Sequence, residues 1–229
     1  RTSWDRSCVW SVNAGLNYHF CNETLRGSFY TGTWRLDNCK RHSIFLSQGH
    51  YPIKGLHKVI EALPSILRLY PDAKVYVAGN DVVSSTYIKR NCYSNYLLHL
   101  LRRLKLENNI SFLGPLSEEK MKEQYLKSHV FVCPSAIENS PNSVGEAQLL
   151  GVPVVASYTG GTMDMVKDGE TGFLYRFEET ALLAYRICQL FADDNLCVQI
   201  SEKERTVAHH RHDATVNAST LINIYNNLR

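Results

Sequence analysis

Val130-Phe-Val-Cys133, then Glu138-Asn-Ser-Pro-Asn-Ser-Val-Gly-Glu146-Ala-Gln-Leu-Leu-Gly151, then Val152-Pro-Val-Val-Ala-Ser157 is the stretch that decides the fold. A short apolar run leads into a turn-forming loop, a segment of helical period and a second β-branched run, the pattern of a βαβ unit. Both apolar runs are nearly continuous rather than alternating, as strands covered on two faces should be. Gly151 supplies a helix stop between the helical segment and the second run.

The same alternation extends in both directions. Strands are expected at Ser43–Ser47, Lys74–Ala78, Ile110–Leu113, Val130–Cys133, Val152–Ser157 and Gly172–Tyr175. Helices are expected over Gly55–Leu69, Ser85–Leu104, Glu118–Lys127, Pro141–Leu150 and Thr162–Val166. This order predicts an α/β fold with a doubly wound, Rossmann-like parallel sheet. Residues 178–229 read as two or three helices without strands, so extra C-terminal helices follow the sheet. The first 40 residues carry all three tryptophans, Trp4, Trp10 and Trp34, and show no regular alternation. We divide the chain accordingly: 1–40 is the end of a preceding domain and a connection, 41–205 the Rossmann-like domain, 206–229 a C-terminal helix. The opening at Arg1 rather than Met reads as part of something longer.

At 229 residues, 44% hydrophobic and 21% charged, the chain can bury a full core without metals or staples. A formal charge of +3 without a dense Lys/Arg run is too weak for nucleic acid and suits an anionic small molecule. No segment approaches the ~18 uninterrupted apolar residues of a membrane span, and no signal peptide is visible. Seven cysteines without a Cys-x-x-Cys pair read as reduced thiols of a cytoplasmic protein. His209-His-Arg-His212 lacks a partner cluster and reads as a polar surface or cap rather than a metal site. No phosphate-loop or dinucleotide fingerprint appears, nor an Asp-x-Asp pair to hold a diphosphate through a metal. No cofactor and no essential metal are expected.

Two carboxylates eight positions apart, Glu138 and Glu146, straddle the helix start after Val130–Cys133. Ser140 suits the N-cap and Pro141 the first helical position. Free amides at Ser140, Asn142 and Ser143 would then face an anion, aided by the helix dipole. Glu146, ~7–8 Å along the axis at ~1.5 Å per residue, is placed to accept a diol, with Gly145 beside it allowing close approach. Ligands of open α/β sheets lie outside the carboxyl ends of the strands, where this loop falls. In Tyr51-Pro-Ile-Lys54-Gly55, a lysine at a helix start opposes the dipole. A local rule broken this way points to function, and a diphosphate in front of the helix would resolve it. Gly160-Gly161 with Asp164 reads as a tight turn with a capping acid, or as site lining.

Ser135-x2-Glu138-x7-Glu146-Ala147, Gly151-Val-Pro-Val-Val, Gly160-Gly161 and Asp168-Gly-x2-Gly172, in that order, resemble the retaining glycosyltransferases of group 1 (family 4, GT-B fold). The resemblance runs to the C-terminus and begins in the opening residues, which are similar to the last part of an N-terminal domain. It implies the donor-binding half of a glycosyltransferase that moves a sugar from a nucleotide-sugar to a glycan or lipid-linked acceptor held by the missing domain. The fragment alone is then expected to bind nucleotide without useful transfer. Glu138 is implied to touch the donor sugar, Glu146 the ribose and Lys54 the diphosphate, with the nucleobase against the loop at Gly114. Family members often work at the inner membrane face. Many also carry an Arg shortly before the lysine, where Gln48-Gly49 stand here, so Arg35, Lys40 or the missing domain is left to supply a second cation. A nucleotide-sugar epimerase and a non-catalytic nucleotide-sugar-binding module are the alternatives.

Overall fold

In a computed structural model of the chain, residues 1–80, 82 and 91–228 are described. Six strands form one sheet: β1 (Lys40–Leu46), β2 (Lys74–Ala78), β3 (Ile110–Gly114), β4 (Ser128–Cys133), β5 (Val154–Ser157) and β6 (Phe173–Tyr175). Their order is β3-β2-β1-β4-β5-β6 and every pair is parallel. The strand order reverses between β1 and β4, so a crevice opens beyond their carboxyl ends.

The helices are α1 (Ser3–Val12), α2 (Leu56–Leu69), α3 (Cys92–Leu104), α4 (Glu118–Lys127), α5 (Asn142–Leu150), α6 (Thr180–Ala192), α7 (Asp194–Arg211) and α8 (Ala214–Asn227). One layer joins α2 to α3 and α6, and the other joins α5 to α4 and α7. This is the expected doubly wound sheet with extra C-terminal helices. Between the layers β1 contributes Ile44, Phe45 and Leu46, all fully buried. Phe45 meets Tyr125 of α4 edge-on at 4.9 Å, and Phe131 of β4 lies 5.0 Å from the same tyrosine.

Several bounds shift for local reasons. β5 begins at Val154 because Pro153 has no amide for the ladder, while Val152 donates back to Ala147 of α5. The helix expected at Thr162–Val166 is instead a 3₁₀ turn over Gly160–Asp164. The start of the expected helix Ser85–Leu104 lies partly outside the described residues, and α3 is seen from Cys92. α7 passes unbroken through the division drawn at 205/206, and the last helix starts at Ala214, capped by Asp213.

The first 40 residues are less separate than their composition suggested. Leu25, Phe29 and Trp34 are buried in the same core as the sheet. Trp34 donates its indole N–H to the Ser128 carbonyl at 2.7 Å and its amide to the Leu150 carbonyl at 2.8 Å. α1 lies on the Gly160–Asp164 turn, where Asp164 accepts from the amide (2.8 Å) and hydroxyl (2.7 Å) of Ser3. The glycine pair and Asp164 thus make a turn with a capping acid, the acid capping α1. No described helix is long and apolar enough to cross a membrane.

Candidate functional site

A small cleft of about 150 Å³ opens at the β1/β4 crevice, where ligands of open α/β sheets bind. Its walls are Ser47 and Gln48 after β1, Lys54, the end of β4 with Pro134 and Ser135, Glu138, and Pro141, Asn142 and Ser143 at the start of α5. Among the described residues of that lining, Lys54 is the one cation.

Lys54 ends a 3₁₀ turn, Pro52–Lys54, and Gly55 follows in the left-handed region at φ 70°. A Cβ on Gly55 would stand 1.7 Å from the Pro134 carbonyl oxygen, and Ala136 donates its amide to the Ile53 carbonyl at 2.8 Å. The loop after β1 is therefore docked against the loop after β4. That contact carries Lys54 Nζ to within 2.5 Å of Glu138 Oε1, and the Ser135 hydroxyl donates to the same oxygen at 2.7 Å. The two residues expected to act in catalysis are brought together. Ser135, noted in the sequence without a role, orients the carboxylate.

Behind Glu138, the Gly161 amide donates to the Glu138 carbonyl at 2.9 Å. Cβ atoms on Gly160 and Gly161 would fall 1.9 Å and 1.8 Å from the Glu138 and Asn139 carbonyl oxygens. These glycines brace the acidic loop from outside and do not line the cleft.

α5 departs from expectation at its start. Pro141, in extended conformation at ψ 112°, is the cap, and Asn142 is the first helical residue. Ser140 does not cap the helix: its hydroxyl turns toward Met165 Sδ at 3.7 Å. Val144 and Gly145 both donate to the Pro141 carbonyl, while Asn142 and Ser143 border the cleft. The Ser143 carbonyl accepts from the buried Tyr125 hydroxyl at 3.0 Å, which ties the helix start to the aromatic core.

Glu146 is one turn further along, 6% exposed, and bound on both oxygens by Arg26: Nε to Oε1 at 2.7 Å and Nη2 to Oε2 at 2.8 Å. Burial pushes its carboxyl above the usual range, and the Arg26 guanidinium pulls it back. Gly145 does not open a path for a ligand. Its missing Cβ is replaced by Leu25 Cδ1 and His212 Nε2, 2.7 Å and 2.8 Å from where that atom would stand. Arg26 escaped the sequence reading because it lies in the irregular first 40 residues. The available signal was Glu146 itself, an acid inside an otherwise buried helix, which needs a cation.

Gly114, with φ 70°, ends β3 on the same edge of the sheet, where its carbonyl accepts from the Gly79 amide at 3.0 Å, outside the cleft lining. Neither expected second cation reaches the cleft: Arg35 leans toward Asp37 beside α7, and Lys40 bonds the Tyr76 hydroxyl at the amino end of β1. His50 follows β1 with its Nδ1 buried and unpartnered, and burial and the Lys54 charge hold its pKa down. His209, His210 and Arg211 form the last turn of α7, and the His212 ring faces the Glu23 carbonyl.

A six-stranded parallel sheet with a cleft at its switch point, a paired lysine and glutamate in that cleft and an open helix start beside them define a GT-B-type α/β domain. The model of the family "Glycosyl transferases group 1" matches residues 36–207, and the chain belongs to that family. A D-inositol 3-phosphate glycosyltransferase of Corynebacterium aurimucosum is 31% identical over 173 residues, 75% of this chain and 40% of that protein. Anabaena Alr3699/HepE, solved with UDP-glucose, superposes at TM-score 0.72 and 26% identity, covering 82% of this chain and 49% of that one. The solved C-terminal domain of a group 1 family protein (LpcC) from Francisella tularensis has the same fold, at TM-score 0.66 and 20% identity over 83% of this chain and 96% of that domain. The chain spans less than half the length of the curated relatives it matches.

Proposed function

We propose that this chain is the donor-binding half of a retaining glycosyltransferase that takes a hexose or related sugar from a nucleotide-diphosphate sugar. The acceptor, a glycan or a lipid-linked glycan, would be held by a second domain. One observation carries the reading. Lys54 and Glu138, from loops after different strands, meet at the switch point beside the open start of α5. UDP and UDP-glucose complexes of Alr3699/HepE support a nucleotide-sugar as the ligand class.

In this reading the donor exchanges the internal pair. The diphosphate takes Lys54 and the α5 amides, and Glu138, aimed by Ser135, accepts hydroxyls of the sugar. As the sugar–phosphate bond breaks, negative charge grows on the leaving diphosphate, and the fixed cation and helix start stabilise it without reorganising. In this reading Lys54 and the start of α5, rather than a metal, face the diphosphate, and the second domain supplies the remaining positive charge. Calorimetric titration with UDP, GDP and ADP, each with and without Mg²⁺, tests it. Tight, metal-independent binding of one of them, lost in Lys54→Ala, is the expected result. Binding that requires Mg²⁺, or that ignores Lys54, overturns the proposal.

A further inference from the structure

Arg26, the partner of Glu146, lies outside every motif of the chain. It is not a free surface side chain. The guanidinium lies over the Phe29 ring at 4.6 Å, and Phe29 is fully buried. Leu25 is buried against Gly145, and its amide donates to the Tyr30 hydroxyl at 3.0 Å. That hydroxyl in turn donates to the His212 carbonyl at 2.6 Å. Swinging the half-exposed Arg26 side chain away would uncover the face of the Phe29 ring and leave the buried Glu146 carboxylate without its cation. A ligand at Glu146 that keeps the pair avoids that cost.

A carboxylate has about four lone-pair sites, and a bidentate guanidinium fills two. Two remain, fixed in direction. We propose that Arg26 is a positioning residue of the donor site, holding Glu146 so that its remaining lone pairs accept the two ribose hydroxyls of a nucleoside diphosphate. This rests on the donor-site reading above. The charged and titratable groups around Glu146 are Arg26, and Glu118 and Tyr125 of α4, while His212 at the end of α7 packs against the neighbouring Gly145. Glu118 and burial both push the carboxyl toward its neutral form, and Arg26 alone opposes them. Without Arg26 the acid holds a proton to higher pH, and a neutral carboxyl is the weaker acceptor for the two hydroxyls.

The test uses two probes, UDP and 2′,3′-dideoxy-UDP, which differ in the diol alone. Wild type, Arg26→Gln, Arg26→Lys, Glu146→Gln and the double variant Arg26→Gln with Glu146→Gln are titrated at pH 6 and pH 8. Arg26→Gln is expected to weaken UDP about tenfold or more at pH 6, as for loss of a hydrogen bond to a charged group, with recovery toward pH 8. Arg26→Lys restores most of the affinity, dideoxy-UDP changes little throughout, and in Glu146→Gln the Arg26 substitution has no further effect. UDP binding equal or tighter in Arg26→Gln, or a pH-independent loss for both probes, overturns the inference. Should Arg26→Gln not fold, Arg26→Lys and the wild-type contrast between probes decide: equal affinity for both probes leaves no role for the diol. Wild type that binds neither probe sinks the donor-site reading itself, a different failure from UDP binding that ignores Arg26.

Discussion

Lys54 and Glu138, 84 residues apart in sequence, share a 2.5 Å ion pair with a third group, the Ser135 hydroxyl, on the same carboxylate oxygen. Each charge of the pair is thus balanced by the other, and a diphosphate must compete with an internal partner for the lysine. Lys54→Met is expected to weaken UDP binding about 10–100-fold, the range for a hydrogen bond to a charged group, while uridine binding changes by less than about twofold. Calorimetry with both ligands checks this. Equal losses for uridine and UDP would place the lysine's effect elsewhere.

Gly55 fixes how the two loops meet. A side chain there meets the Pro134 carbonyl at 1.7 Å in a left-handed backbone. Gly55→Ala should cost about 1–3 kcal/mol or more, which at about 2–4 °C per kcal/mol lowers Tm by several degrees. Thermal melting followed by circular dichroism measures it; an unchanged Tm would mean that the loops separate at no cost.

Glu204 on α7 is completely buried, and neither carboxylate oxygen has a hydrogen-bond partner; the Val154 backbone approaches without completing one. Burial raises its pKa well above the ordinary glutamate value, so its neutral form belongs to the folded state. The sign follows: stability is fully present below the unfolded value of about 4.3 and falls as pH rises through the folded one, by up to about 1.4 kcal/mol per pH unit. Glu204→Gln is expected to be more stable than wild type at pH 8, with the difference shrinking toward pH 5. Urea unfolding at both pH values reads this out, and a constant difference would count against it.

Tyr125 ties the start of α5 to the sheet through its hydroxyl. Tyr125→Phe keeps the ring among Phe29, Phe45 and Phe131 and strands the Ser143 carbonyl. A loss of about 1 kcal/mol in denaturant unfolding is expected. A stability equal to wild type would show that the carbonyl finds another donor.

The sheet was readable because parallel strands buried on two faces leave continuous apolar runs, as in Val130–Cys133, and the helices between them have their own period. The Lys54–Glu138 meeting was readable in kind, since both loops follow strands at one edge. Arg26 was not: the irregular segment around it offers no periodicity, and only tertiary packing of Leu25, Phe29 and Trp34 shows that it belongs to the domain. The cap of α5 also escaped. Ser140 has the right chemistry, but its hydroxyl points to Met165 and the Pro141 backbone begins the helix. Gly145 misled for a related reason, because a glycine vacates space without saying whether ligand or protein fills it.

α1 is fastened at its first residues to the frame of the cleft. The Thr2 hydroxyl bonds Asn139 at 2.8 Å, Ser3 bonds Asp164, and the Gly160–Gly161 turn between them braces the Glu138 carbonyl. This is a lever with a short arm. A displacement of α1 would reach the loop that aims Glu138 through the Thr2–Asn139 and Ser3–Asp164 contacts and the Gly161–Glu138 backbone bond.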